Sequence, residues 1–293
     1  MSHATATDGT QLYWEEAGSG APIIFVHEFG GNYAAWEPQL RRFARSHRCI
    51  TFAARGYPPS DVPDDPGAYS QAQAAADIAA VLDAAGVDKA HVAGLSMGGF
   101  AALQFGLDYP ERARSLIVAG AGYGAEKQHA AFFADLSNQV ADQFEAQGSE
   151  AFSRVYGMAA ARIPFLEKDP RGHAAFLQRL AQHSARGAAN TMRGVQARRP
   201  SLYDLEDRLR ALTMPVLVMS GDEDDHCLQP ALFLKRVIPA SGVAIFPKSG
   251  HTLNLEEPEL FNSLAADFWT RVEAGRWGPR DPRSKAAEIM KTG

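Results

Sequence analysis

One stretch constrains this chain more than any other: Val92-Ala93-Gly94-Leu95-Ser96-Met97-Gly98-Gly99-Phe100. The run from Ala90 to Ala93 predicts a buried strand, and the small residues from Gly98 through Ala101, Ala102 and Leu103 predict a helix. Between them stands Gly-x-Ser-x-Gly. A serine at such a strand-to-helix turn sits in strained backbone, so small residues must flank it, and Gly94 and Gly98 do. The turn lifts the hydroxyl clear of the sheet. It also aims the first helical N–H groups, and the positive end of the helix dipole, at whatever that hydroxyl attacks. This is the sequence form of a nucleophile elbow. A glycine-rich turn with an incidental serine would look the same locally, so the reading turns on partners elsewhere in the chain.

Strand-like runs recur along the chain, with helices between them. Thr5 to Thr7 and Gln11 to Glu15 flank Asp8-Gly9, a pair that favours a tight hairpin turn. Pro22–His27 reads as a strand covered on both faces, Arg48–Ala54 as the next strand and Ser115–Ala119 as another buried one. Helices are expected from about Ala34 to Arg45 and from Ser70 to Ala85, the second carrying Ile78, Val81 and Leu82 at helical spacing. Strands that alternate with helices mean a mostly parallel sheet with helices on both faces. From about Tyr123 to Leu212 no comparable strand run appears. The pattern resumes at Pro215–Ser220 and Val243–Phe246, with closing helices from about Gln229 to Val237 and Glu257 to Val272. The expected organisation is therefore a core of residues 1–122 and 213–274, with a helical cap of residues 123–212 inserted over the strand C-termini, where ligands bind in such sheets. The tail, 275–293, is expected to be partly flexible unless Trp277 and Ile289 dock it.

Composition narrows the partners. With 293 residues, 46% hydrophobic and 22% charged, the chain can build a large core. A net charge of −5 and the lack of a dense Lys/Arg cluster argue against a nucleic-acid partner. The polar start has no apolar signal core, and no apolar run approaches the roughly 20 residues that span a bilayer. Cys49 and Cys227 lack metal-ligand spacing and set no disulfide framework. The expectation is a cytoplasmic protein with free thiols, no membrane partner, no metal and no organic cofactor. Monomer and homodimer fit equally.

A lone serine hydroxyl is a poor nucleophile; it needs a base, and the base needs an orienting carboxylate. Gly221-Asp222-Glu223-Asp224 follows directly on the run Pro215–Ser220, placing a carboxylate at a strand's carboxyl end, and His251 follows the last strand. Serine, then acid, then histidine is the order of one known triad. With these residues in view, the chain resembles the α/β-hydrolase superfamily over roughly residues 3 to 273, through HEFGGNYAAW, ARGYPPSD, GLSMGG, GDEDDHCLQP and SGHTLNLEEP. The resemblance implies an α/β-hydrolase fold: a mostly parallel eight-stranded sheet with an inserted cap. It implies Ser96 as nucleophile, His251 as general base and Asp224 as acid, because the family's acid stands three residues after the strand-end glycine. Asp225 is the alternative to Asp224. The oxyanion hole would then use the backbone N–H groups of Met97 and Phe29. His27 is expected only to buttress that loop, and His226, beside the acid, stands out among the other histidines.

The chain departs from the family twice. His27-Glu28 stands where the family has His-Gly, and Ala53-Ala54-Arg55-Gly56 where it has Asp-x-Arg-Gly. A carboxylate is thus lost at the end of the fourth strand and gained at the end of the third, its expected neighbour. An unpaired buried arginine is costly, so Glu28 is expected to pair with Arg55. The alternative has Glu28 facing the pocket.

A serine nucleophile excludes the dehalogenase and epoxide-hydrolase branches, which use aspartate there. Acyl transfer to water is the default, on a small apolar or aromatic carboxylic ester or lactone. The aromatics of the cap suggest such a substrate, although most are expected to pack the cap itself. Trp36, Tyr123 and Glu28, with Met97 and Phe29, lie near strand ends and are candidate substrate contacts. Arg154, Arg162, Arg179, Arg186 and Arg193 face either a substrate carboxylate or solvent. The same triad also serves carbon–carbon hydrolysis of a vinylogous diketone. A cofactor-free oxygenase or lyase, or a ligand receptor, are alternatives of another class.

Overall fold

The computed structural model describes residues 2–285. Its strands are β1 (Ser2–Thr5), β2 (Gln11–Ala17), β3 (Ala21–Val26), β4 (His47–Phe52), β5 (Ala90–Leu95), β6 (Ala113–Ala119), β7 (Val216–Gly221) and β8 (Ser241–Phe246). They form one sheet in the order β1-β2-β4-β3-β5-β6-β7-β8. The pairs β1–β2 and β2–β4 are antiparallel and the others parallel. β5 and β7, each paired on both sides, are buried along their whole length, as strands covered on both faces must be.

Alternation along β3 sorts the two faces. Ile23 and Phe25 point to one side, where Phe43 of α1 (Glu37–Phe43) and Phe261, Phe268 and Trp269 of α11 (Pro258–Glu273) pack with them. Ile24 and Val26 point to the other, against Ile78 and Leu82 of α2 (Gln71–Ala84), Phe105 of α3 (Met97–Asp108), Leu209 of α8 (Glu206–Arg210) and Leu234 of α9 (Asp225–Val237). Each large side chain so buried contributes about 1.5–3 kcal/mol before entropy is counted.

Between β6 and β7 the chain runs through α4 (Ala130–Tyr156, broken at Gly148 where φ is 77°), α5 (Ile163–Lys168), α6 (Pro170–Ala181) and α7 (Ala185–Thr191). Phe144, Phe152, Leu180, Ala189 and Met192 of this insert form one cluster with Phe29, Tyr57, Tyr69 and Met97 from the strand-end loops. The insert is therefore seated on the carboxyl ends of the strands.

Local details differ from the sequence expectation. The β1–β2 connection is a longer loop than a tight turn: Ala6 N–H donates to Thr10 O and Gly9 N–H to Ala6 O. Asp8 stays within the turn that this second bond closes, and its carboxylate reaches Arg55 at 2.7 Å while its other oxygen accepts from Thr10 N–H. A 3-10 turn over Tyr33–Trp36, capped by Asn32, delays α1 to Glu37. α9 starts at Asp225, earlier than expected, and draws Cys227 into its first turn. Trp277 docks, its Nε1–H donating to Ala240 O at 2.9 Å and its ring 4.6 Å from that of Phe268. Ile289 lies outside the described residues. No described helix is long and apolar enough to cross a membrane.

Candidate active site

β5 ends and α3 begins at Ser96, whose φ of 56° and ψ of −115° lie where a side chain is strained. Its N–H donates to Ala119 O of β6 at 2.7 Å, and its carbonyl accepts from Phe100 N–H at 2.9 Å. The flanking glycines are sterically required. A Cβ on Gly94 would collide with the Gly98 carbonyl, and one on Gly98 with the carbonyl of Val26. The strain leaves the serine partly exposed among buried neighbours. Met97 opens α3, so its N–H has no intrahelical acceptor.

His251 and Asp224 follow β8 and β7, which are neighbours in the sheet. His251 Nδ1 lies 2.6 Å from Asp224 Oδ2, and both side chains are buried. Burial raises the Asp224 carboxyl pKa, but the charge and hydrogen bond of His251, with help from Arg162, outweigh it and leave it below the ordinary carboxylate range. The ring stands by Gly120, where an added Cβ would lie 3.4 Å from His251 Cε1. Gly120 adjoins Ala119, the acceptor of the Ser96 N–H, so serine and imidazole share one stretch of β6 end. No hydrogen bond joins Ser96 Oγ to the ring among the described residues; such bonds are often long until substrate binds. Asp222 instead caps Ser249 N–H at 3.1 Å, and no contact brings Asp225 to the ring.

Cys227 lies beside this pair, with Sγ 4.0 Å from His251 Nδ1. Its thiol is pushed well above its usual pKa, by burial first and by the adjacent Asp224 second. Ligand atoms of Asp224, Cys227 and His251 lie within 4.8 Å of one another, a spacing a metal ion could use. A thiol held protonated by burial is a poor metal ligand, since the thiolate is the form that binds.

His27, fully buried, fixes the loop after β3. Its Nε2 accepts from Ala54 N–H at 3.1 Å, so Nδ1 carries the proton and donates to Glu28 O at 2.7 Å. Burial lowers its pKa to about 4, against the opposing pull of Glu28. The ring is thus a neutral buttress. Phe29 O accepts from Tyr57 O–H at 3.0 Å, and the Phe29 ring packs on Phe144 and Tyr156 of the insert.

Two expectations are corrected. Glu28 does not pair with Arg55. That arginine is held by Asp77, through Nε and Nη2 at 2.7 Å each, and by Asp8 at 2.7 Å. Glu28 instead takes both Nη groups of Arg162 from the insert, and Arg162 also donates to Thr252 Oγ1 and to Tyr156 O–H. Trp36 is a core residue rather than a substrate contact: its ring packs between Phe25 and Phe261 on the α1/α11 face. Tyr123 does stand at the site, its ring edge-to-face with His251 at 5.2 Å and beside those of His226 and Phe133. Of the other insert arginines, Arg154 pairs with Glu150, Arg186 with Asp64, and Arg193 with Asp142 and Glu145.

Residues 21–258 match the family described as alpha/beta hydrolase fold. The chain is 26% identical over 255 residues to 3-oxoadipate enol-lactonase 1 of Acinetobacter baylyi (strain ATCC 33305 / BD413 / ADP1), covering 86% of this chain and 89% of that one. It is 27% identical over 278 residues to the 2-hydroxy-6-oxo-6-phenylhexa-2,4-dienoate hydrolase of Burkholderia cepacia, covering 88% and 91%. Among solved structures, a thermophilic esterase from Thermogutta terrifontis superposes with a TM-score of 0.82 at 26% identity, over 92% of this chain and 98% of that one.

Proposed function

This chain belongs to the α/β-hydrolase family, and from that premise we propose that it is a serine hydrolase of small, uncharged carboxylic esters or lactones, working without a cofactor through a Ser96–His251–Asp224 triad. The observation that carries the reading is the buried 2.6 Å contact between His251 Nδ1 and Asp224 Oδ2, set beside a serine in strained elbow backbone. Asp224 holds the ring so that Nε2 faces the serine. His251 takes the Ser96 proton as Oγ attacks the carbonyl carbon, and the N–H groups of Met97 and Phe29 receive the negative oxygen. The imidazolium protonates the leaving alcohol, leaving an acyl-Ser96. His251 then deprotonates water, which releases the acid and restores the serine.

The surroundings of the elbow support the substrate class: Phe29, Phe144 and Met97 pack there as apolar groups, the Tyr156 hydroxyl is taken by Arg162, and the charge of Arg162 is matched by Glu28. A cap of residues 123–212, cytoplasmic location and a monomeric or homodimeric state complete the proposal. Likeness to a dienoate hydrolase favours carbon–carbon hydrolysis as the second reading. Turnover of short-chain p-nitrophenyl esters, compared with turnover of a 2-hydroxy-6-oxo-dienoate, decides between them. For the ester reading, Ser96→Ala lowers kcat by about 10⁴–10⁶-fold with the fold intact. A folded wild type that turns over neither substrate, or a Ser96→Ala variant as active as wild type, would overturn the serine mechanism.

A further inference from the structure

We propose that Glu28 and Arg162 form a latch that seats the insert on the core and, through their chain neighbours, positions the oxyanion-hole loop and the histidine; the proposal rests on the serine-hydrolase reading above.

The pair is the most buried contact between the insert and the rest of the protein that carries full charges, with 3% and 2% of the two side chains exposed. Arg162 Nη1 donates to Glu28 Oε1 at 3.1 Å and to Thr252 Oγ1; Nη2 donates to Glu28 Oε2 and, at 2.8 Å, to Tyr156 O–H. The Tyr156 and Phe176 rings both lie 4.9 Å from the guanidinium carbon. Two desolvated ions are kept in one geometry only when their remaining donors and acceptors are satisfied, and here both Nη groups are.

The neighbours give the latch its reach. Glu28 immediately precedes Phe29, the proposed second oxyanion donor. Thr252 immediately follows His251. Ala161, next to Arg162, accepts the His251 N–H at 2.9 Å. One guanidinium therefore spans the insert, the loop after β3 and the loop after β8. An apolar plug would fill the same space but would not fix the register of those three segments, because dispersion has no direction. A bare carboxylate next to the proposed oxyanion loop would oppose a developing negative charge; here the charge of Glu28 is matched at contact distance by Arg162. Glu28 and Arg162 are positioning residues and touch no reacting atom.

Asp224, just before α9, and Cys227 within it stand against the His251 ring, and Tyr123 stands against it from the loop after β6. The test is kcat and KM for a p-nitrophenyl ester, measured per folded molecule. Glu28→Gln takes the bidentate partner from the guanidinium, and Arg162→Gln leaves the carboxylate with only the more distant charge of Arg179. Each variant loses about 10²-fold in kcat, the cost of a misplaced oxyanion donor, with KM within about threefold. Arg162→Lys keeps the charge and loses the fork, so it folds and lowers kcat by about tenfold with KM unchanged. Variants that melt earlier yet keep wild-type kcat, or that raise KM with kcat unchanged, would overturn the latch. Ester turnover that survives Ser96→Ala would overturn the hydrolase reading instead, so the two failures are distinct.

Discussion

Two buried arginines in this protein make the same kind of fork and serve different ends. Arg55 is gripped by Asp77 from α2 and by Asp8 from the β1–β2 loop, all parts of the sheet and its helices. Arg162 is gripped by Glu28 across the boundary between insert and core. The first ties scaffold to scaffold. The second ties the scaffold to the part that covers the site. His27 stands between them: its Nε2 holds Ala54, next to Arg55, and its Nδ1–H holds Glu28 O. A buried ion pair is therefore not read from its chemistry alone; which segments it joins decides whether its loss shows first in stability or in turnover.

That contrast is open to experiment. Asp77→Asn leaves Arg55 largely uncompensated in a dry setting, and urea unfolding should show a loss of about 3–5 kcal/mol. Its kcat per folded molecule should stay at the wild-type value. A drop in kcat comparable to that of the latch variants would break the distinction.

Acid probes the bridge between the two arginines. His27 has its pKa lowered to about 4 by burial, so the fold keeps it neutral. The unfolded chain binds its proton near pH 6.5. Its contribution to stability is therefore complete above pH 6.5 and is lost as pH falls toward 4, a change of about 3 kcal/mol for a group this buried. Urea midpoints at pH 7 and pH 4 check this. His27→Gln should lose less stability over that window than the wild type, and an equal loss would remove His27 from the account.

The smallest effect belongs to the exposed end of the Arg55 cluster. Arg55 holds the Asp8 carboxyl well below the usual carboxylate range, but Asp8 is 36% exposed and screened by solvent. Its stabilisation is present above the ordinary carboxylate pKa and fades as pH falls through the lowered one. Asp8→Asn should cost no more than about 1 kcal/mol at neutral pH, measured by the same unfolding curves. A larger loss would mean that Asp8, not Asp77, is the main counter-ion.

What the sequence disclosed follows from range. The elbow is local: Gly94, Ser96 and Gly98 collide or fit within a few residues, so their spacing is enough. The carboxylate and the imidazole sit directly after strands, and the parallel order of β7 and β8 brings their ends together. The latch joins residues 134 apart, and no periodicity records that distance. One signal was present: Arg162 is the only charge in Ala159-Ala160-Ala161-Arg162-Ile163-Pro164-Phe165, a setting in which an arginine needs a buried partner. Asp77 gave a similar sign, a carboxylate next to Ile78 on the buried face of an alanine-rich helix. The sequence points Glu28 to the nearer strand end because adjacency in the sheet is legible and the course of the insert is not. Trp36 differs from expectation for a related reason. A residue soon after a strand end reads as pocket, yet the 3-10 turn at Tyr33–Trp36 swings it under the sheet.

Ser96 Oγ carries the proposed chemistry, and reaction with the phosphate triester diethyl p-nitrophenyl phosphate tests it. The triester carries a good leaving group and cannot complete turnover. It should release one equivalent of p-nitrophenol per protein and leave a diethylphosphoryl group that peptide mapping by mass spectrometry finds on Ser96. Asp224→Asn should slow that labelling by about 10⁴-fold. Labelling at another residue, or none at all on folded protein, would contradict the triad.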